Sequence, residues 1–115
     1  MTKVVVTGSR HGCPMVRKVI KEFHAETPIS LLVHGGAGGV DSQAGFFAQE
    51  NGIPVKVYPA EWGTLGKAAG SIRNERMLAE NLDAIVLVFP GGIGTHNCET
   101  LANKKGMVVK KVGRE

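Results

Sequence analysis

The chain has little of what would mark a metal centre, a disulfide framework or a membrane protein. Only two of its 115 residues are cysteine, Cys13 and Cys98, and they stand at no metal-ligand spacing. The histidines, His11, His24, His34 and His96, are scattered. Free thiols and no metal are therefore expected. Cys13 and Cys98 would approach each other only if the strands that precede them are neighbours. No apolar run reaches membrane-spanning length. No leader is recognisable either, because Met1 runs straight into Val4-Val5-Val6, and a cytoplasmic location is expected. Aromatic residues make up only 5% of the chain, with Trp62 the sole tryptophan, so there is no aromatic platform for single-stranded nucleic acid. Repeats, linkers and low-complexity segments are absent, and residues 1–115 fit one domain.

Charge of one sign is in slight excess. The net charge is +4, with Lys104, Lys105, Lys110, Lys111 and Arg114 gathered near the end of the chain. Such a surplus suits an anionic ligand, but solvated helix faces and chain ends carry lysines as well.

What the chain has in quantity is glycine, sixteen residues, most of them clustered. The clusters fall between strand-like and helix-like segments. Residues 3–7 read as a buried β-branched strand. Pro14 suits a first helical turn, and Val16, Val19, Ile20 and Phe23 follow at helical spacing. Residues 30–34 form a second strand, and Asp41 or Ser42 begins the next helix, with Ala44, Phe47 and Ala48 as its apolar stripe. Residues 55–58 form a third strand, 60–71 a long loop and 72–81 a third helix. Residues 84–89, a fourth helix ending at Gly106, and residues 107–112 complete the alternation. Strands alternating with helices predict an α/β protein with a Rossmann-like three-layer fold. The expected core is a five-stranded parallel sheet of order 3-2-1-4-5, with helices on both faces. Its crevice lies where the strand order reverses, at the carboxyl ends of strands 1 and 4.

Three glycine-bearing turns should converge on that rim: Gly8-Ser9-Arg10, Gly35 to Gly39, and Pro90-Gly91-Gly92-Ile93-Gly94-Thr95. Glycine lets backbone amides approach an anion, and a helix N-terminus adds unpaired N–H groups and partial positive charge. The turn bearing Gly91, Gly92, Gly94 and Thr95 is accordingly assigned to a phosphate. Arg10 is placed to pair with it, or to be solvated in its loop. Asp41 either caps its helix or binds a sugar hydroxyl together with Gly36. Arg73 and Asn74 would open the third helix, where a cation is disfavoured unless it meets an anion. Trp62 either stacks on a base or anchors the long loop. Cys98 and His96 lack a third orienting group for nucleophilic chemistry.

In combination these residues resemble the YspA-like branch of the SLOG superfamily, Rossmann-like domains related to the "lonely guy" phosphoribohydrolases and to DprA. The resemblance rests on Thr7-Gly8-Ser9-Arg10, His34-Gly35-Gly36-Ala37 with Gly39-Val40-Asp41, and Pro59-Ala60-Glu61-Trp62. Gly66-Lys67-Ala68-Ala69-Gly70, then Arg73-Asn74 and Met77, and finally Phe89 through Thr95 complete it. It implies a nucleotide or nucleotide-derived ligand, ADP-ribose or NAD-related compounds included, held for sensing or sequestration. It further implies a homo-oligomer. The lonely-guy enzymes hydrolyse nucleoside monophosphates with an arginine in an Arg-x-x-x-Met segment and a glutamate in Pro-Gly-Gly-x-Gly-Thr-x-x-Glu. Arg73 and Met77 match the first segment. In the second, Cys98 stands at the glutamate position and Glu99 comes one residue late, about 100° around a helix. An N-glycosidase using Arg73 and Glu99 is the alternative activity, and a single-stranded nucleic-acid module, by analogy with DprA, is a third.

Overall fold

A computed structural model describes residues 2–112. Five parallel strands, β1 (Thr2–Thr7), β2 (Ile29–His34), β3 (Val55–Val57), β4 (Ile85–Val88) and β5 (Val108–Lys111), form one sheet of order β3-β2-β1-β4-β5. The Rossmann-like order read from the alternation is the one observed. The central strand β1 pairs Val5 with Val33 of β2 on one side and with Val86 of β4 on the other.

Both faces of the sheet are covered, which is why the inner strands carry the apolar runs Val4-Val5-Val6, Leu31-Leu32-Val33 and Ile85 to Val88. One face carries α1 (Val16–Glu26) and α2 (Val40–Glu50). There Val4, Val6, Leu32 and Leu87 pack against Val16, Ile20, Ala44 and Phe47. The other face carries α4 (Ala69–Ala79) and α5 (Ile93–Lys104), with Val5, Val33, Val86 and Val88 against Met77, Leu78, Cys98 and Ala102. Cys13 borders the first cluster and Cys98 lies in the second, so the sheet separates the two thiols. The approach considered for them from sequence does not occur.

Two segments depart from the sequence reading. Pro14 lies two residues ahead of α1 rather than inside its first turn. The larger departure is the long loop expected over 60–71, which is mostly helical. It contains the short helix α3 (Trp62–Leu65), a 3₁₀ turn (Gly66–Ala68) and the first turn of α4. Glycines at 63, 66 and 70 mask this in the sequence, yet only Gly66 needs a left-handed φ, +60°. The alanines at 68 and 69 favour helix. Arg73 is consequently in the second turn of α4, not at its start. No helix among the described residues is long and apolar enough to cross a membrane.

Candidate functional site

The three glycine turns do gather at the carboxyl rim of the sheet, and backbone contacts stitch them together. The Ser9 amide donates to the Pro90 carbonyl at 2.9 Å, joining the turns after β1 and β4. The Val40 amide donates to the Ser9 carbonyl at 3.0 Å, joining the turns after β1 and β2. The Ser9 hydroxyl accepts from the His11 amide at 3.0 Å and so holds its own turn. Behind them, α4 bridges the turns after β2 and β4. Arg73 donates to the carbonyls of Gly35 and Tyr58 and to Asn74 Oδ1. Buried Asn74 in turn donates to the Gly94 carbonyl at 3.2 Å and to Asn97 Oδ1 at 3.0 Å.

The glycines answer to different demands. Gly8 lies under the side chain of Val40, which would collide with any Cβ at 2.7 Å. Gly35 lies under the Arg73 guanidinium, and Gly91 under Thr95 and the Gly8 backbone. Gly36 and Gly39 have φ of +74° and +66°, where L side chains are strained. Gly92 and Gly94 differ from all of these. Neither has a positive φ, and a Cβ on either would meet nothing within 4 Å.

The two helix N-termini at the rim also differ. At α2, the Val40 amide is taken by Ser9 and a carboxylate stands in the first turn. That carboxylate, Asp41, is buried, and its Oδ2 accepts from the amides of Gly35 at 3.0 Å and Ala37 at 3.2 Å. It braces the preceding turn and does not cap its helix. Burial pushes its pKa up to about 6, against the opposing pull of the two amides and of Arg73. At α5, by contrast, Gly92 is the N-cap, no side chain caps the helix, and the first turn holds no acid. The first helical bond is donated by His96 to the Gly92 carbonyl, so the amides of Ile93, Gly94 and Thr95 lie ahead of the ladder. Gly91, Gly92, Ile93 and Gly94 are exposed, whereas Thr95 is buried with its Oγ1 against Gly91.

Arg10 is exposed on the turn after β1 and makes no ion pair among the described residues. Among the described residues Arg73 bonds only to neutral oxygens, so its charge meets no carboxylate in contact there. Trp62 is half exposed, with its indole edge over Gly70. Glu99 is buried and pairs with Lys111 of β5 at 2.8 Å. Cys98, at the position a glutamate would hold, is a buried thiol whose pKa burial raises to about 11, with the Thr7 hydroxyl as a hydrogen-bond partner. Much of the basic tail is used internally. Lys105 pairs with Glu75, Lys111 with Glu99, and Lys110 lies over the Phe23 ring; Arg114 is outside the described residues. Among the described residues no group of three His, Cys, Asp or Glu could hold a metal ion.

Two contributors receive no role from the sequence. Buried His34 accepts the Gly36 amide through Nδ1 at 3.0 Å, and Asn97 buttresses Asn74. The signal for His34 was there to find: a polar residue ends an otherwise apolar strand. No comparable pattern marks Asn97.

A parallel sheet of this order, with glycine turns joined at its switch point, defines a Rossmann-like domain. Residues 2–64 match the YspA, cpYpsA-related SLOG family. Over 123 aligned positions, covering 98% of both chains, the sequence is 33% identical to the gene 61 protein of Mycobacterium phage D29. The chain belongs to the YspA, cpYpsA-related SLOG family, membership that is consistent with a nucleotide-related ligand.

Proposed function

We propose that the crevice binds the phosphate of a nucleotide or nucleotide-derived ligand, of the ADP-ribose or NAD-related type, for sensing or sequestration. The observation that carries this reading is the pair Gly92 and Gly94. Neither takes a left-handed φ, and neither is confined by packing within the protein. Inside α5, Gly94 weakens the helix relative to alanine by up to about 1 kcal/mol, while Gly92 stands at the N-cap, where glycine costs little. A group approaching the backbone from outside would account for both.

The electrostatics favour the same place. The α5 tip offers uncapped amides and the positive end of a twelve-residue helix. At the α2 tip the Val40 amide is already taken by the Ser9 carbonyl, and the Asp41 carboxylate in the first turn disfavours an anion. Arg10 at the rim and Arg73 behind it supply charge, and Asn74 fixes the α5 turn through the Gly94 carbonyl. Gly36 and Asp41 would lie toward the sugar, with Trp62 available to cover a base. Retention is favoured over hydrolysis, because Glu99 is engaged by Lys111 and Cys98 is a buried, protonated thiol.

Titration calorimetry with AMP, ADP, ADP-ribose and NAD, alongside chromatography of the recovered nucleotide, tests the reading. At least one phosphate ligand should bind and be recovered intact. Release of free base would establish the N-glycosidase instead, and failure of every phosphate ligand to bind would remove the assignment.

A further inference from the structure

A second recess lies along the sheet edge between the outer side of α2 and β3, beside the 35–39 turn. It has a volume of about 480 Å³ and is walled by Phe46, Ile53 and Val55, with His34 and Gly45 also lining it. That volume falls in the range of small-molecule sites. The lining includes no charged side chain; its polar groups are His34, Ser42 and Gln49.

His34 gives the recess its chemistry. The side chain is only 8% exposed. Its Nδ1 accepts the Gly36 amide, which puts the ring proton on Nε2. Nε2 has no hydrogen-bond partner among the described residues, while every fully buried side-chain polar atom there has one. This N–H therefore opens onto the recess. Gly45 keeps it so, since a Cβ at that position would stand 2.9 Å from Nε2. Burial, and then the charge of Arg73, lower the pKa of His34 and hold the ring neutral. An anion finds no cation here, and a purely aliphatic guest would leave a desolvated donor unpaired.

The geometry points to a binding subsite for a planar, uncharged heteroaromatic ring of the nucleobase type. Phe46 and Val55 contact its faces, and His34 Nε2–H donates to a ring nitrogen or carbonyl. The Gln49 amide and Ser42 hydroxyl can read the rest of its edge. The subsite needs no phosphate and stands apart from the α5 assignment. Through the bond from the Gly36 amide to Nδ1, an occupant would also steady the 35–39 turn.

The test is a nuclear magnetic resonance titration of the labelled full chain with free adenine, with inorganic phosphate run in parallel. Adenine should shift the resonances of His34, Gly45 and Phe46, while phosphate should shift those of Gly92 and Gly94. Gly45→Ala crowds the imidazole and should weaken adenine binding about tenfold or more. Should that variant fail to fold, Val55→Lys decides. It places a charge at an exposed edge position and should weaken adenine binding by a similar factor, about tenfold. Leu82→Ala, outside the recess, should leave binding unchanged. The subsite is overturned if adenine shifts no recess resonance up to its solubility limit, if it shifts only the crevice, or if benzene binds as tightly. Loss of the phosphate shifts alone would count against the α5 reading and leave this one standing.

Discussion

The turn over residues 35–39 and the turn over 91–94 both leave a parallel strand and enter a helix, yet their glycines are there for different reasons. In the first, Gly36 and Gly39 take left-handed φ values and Gly35 makes room for Arg73. Its amides at Gly35 and Ala37 are satisfied by Asp41, and that at Gly36 by His34. In the second, only Gly91 is confined by its neighbours, and the amides at the start of α5 receive no side-chain cap. A glycine-rich motif is thus not one signal. Glycines that the protein needs for its own packing shape the site, and glycines that it does not need leave space for something else.

Substitution should separate the two turns, and the largest effect belongs to the first. Gly39→Ala would force a Cβ into the backbone of Ser9, Arg10 and Gly12 at a φ of +66°. A loss of about 3 kcal/mol or more is expected in chemical denaturation. A stability as little changed as that expected for Gly94→Ala would erase the distinction.

Asp41→Asn sharpens the comparison through pH. The carboxyl titrates near 3.8 when unfolded and at about 6 in the fold, so the folded state holds the extra proton between those values. Its contribution to stability is complete below the unfolded value. It declines as pH rises toward 6 and is flat above, a change on the order of 3 kcal/mol. The asparagine variant should lose that slope and match or exceed the wild type at pH 8. An unchanged slope between pH 4 and 6 would show that Asp41 is not the group responsible.

In the second turn, stability and binding should move in opposite directions. Gly92→Ser supplies a hydroxyl cap to the α5 amides and should stabilise the fold by a few tenths of a kcal/mol. The same hydroxyl competes for the amides and should weaken phosphate-ligand affinity, about tenfold by calorimetry, since one hydrogen bond to a charged group is at stake. The smallest effect is expected from Arg10→Ala. Stability should stay within about 0.5 kcal/mol, while affinity falls a few-fold, with a weaker dependence on salt. Unchanged affinity across ionic strengths would remove Arg10 from the site.

Much of this architecture can be read from the chain itself. Apolar runs fix the strands, helical spacing fixes α1 and α2, and the chirality of crossovers leaves few ways to order the sheet. The same order brings the glycine turns to one rim. The segment over 60–71 was opaque because its glycines imitate a loop and no apolar period betrays the helix. Arg73 was misplaced for that reason: with α4 starting at Ala69, the helix-start argument for an anion no longer applies. What remains is a guanidinium surrounded by carbonyls. Of the two readings open for Asp41, cap or sugar ligand, the cap is excluded by its bonds back to Gly35 and Ala37, which depend on how the turn folds over α2. Glu99 pairs with Lys111, which comes from a strand that spacing alone could not align with it.

The most direct test compares the wild type with Gly94→Ala in ADP-ribose titration, with thermal denaturation of each protein alone. The variant should melt at the same or a slightly higher temperature, by up to about 1 kcal/mol of added stability, yet lose most of its affinity. Equal affinity in the two proteins, or an affinity loss that merely follows unfolding, would contradict a phosphate seated on the bare amides of α5.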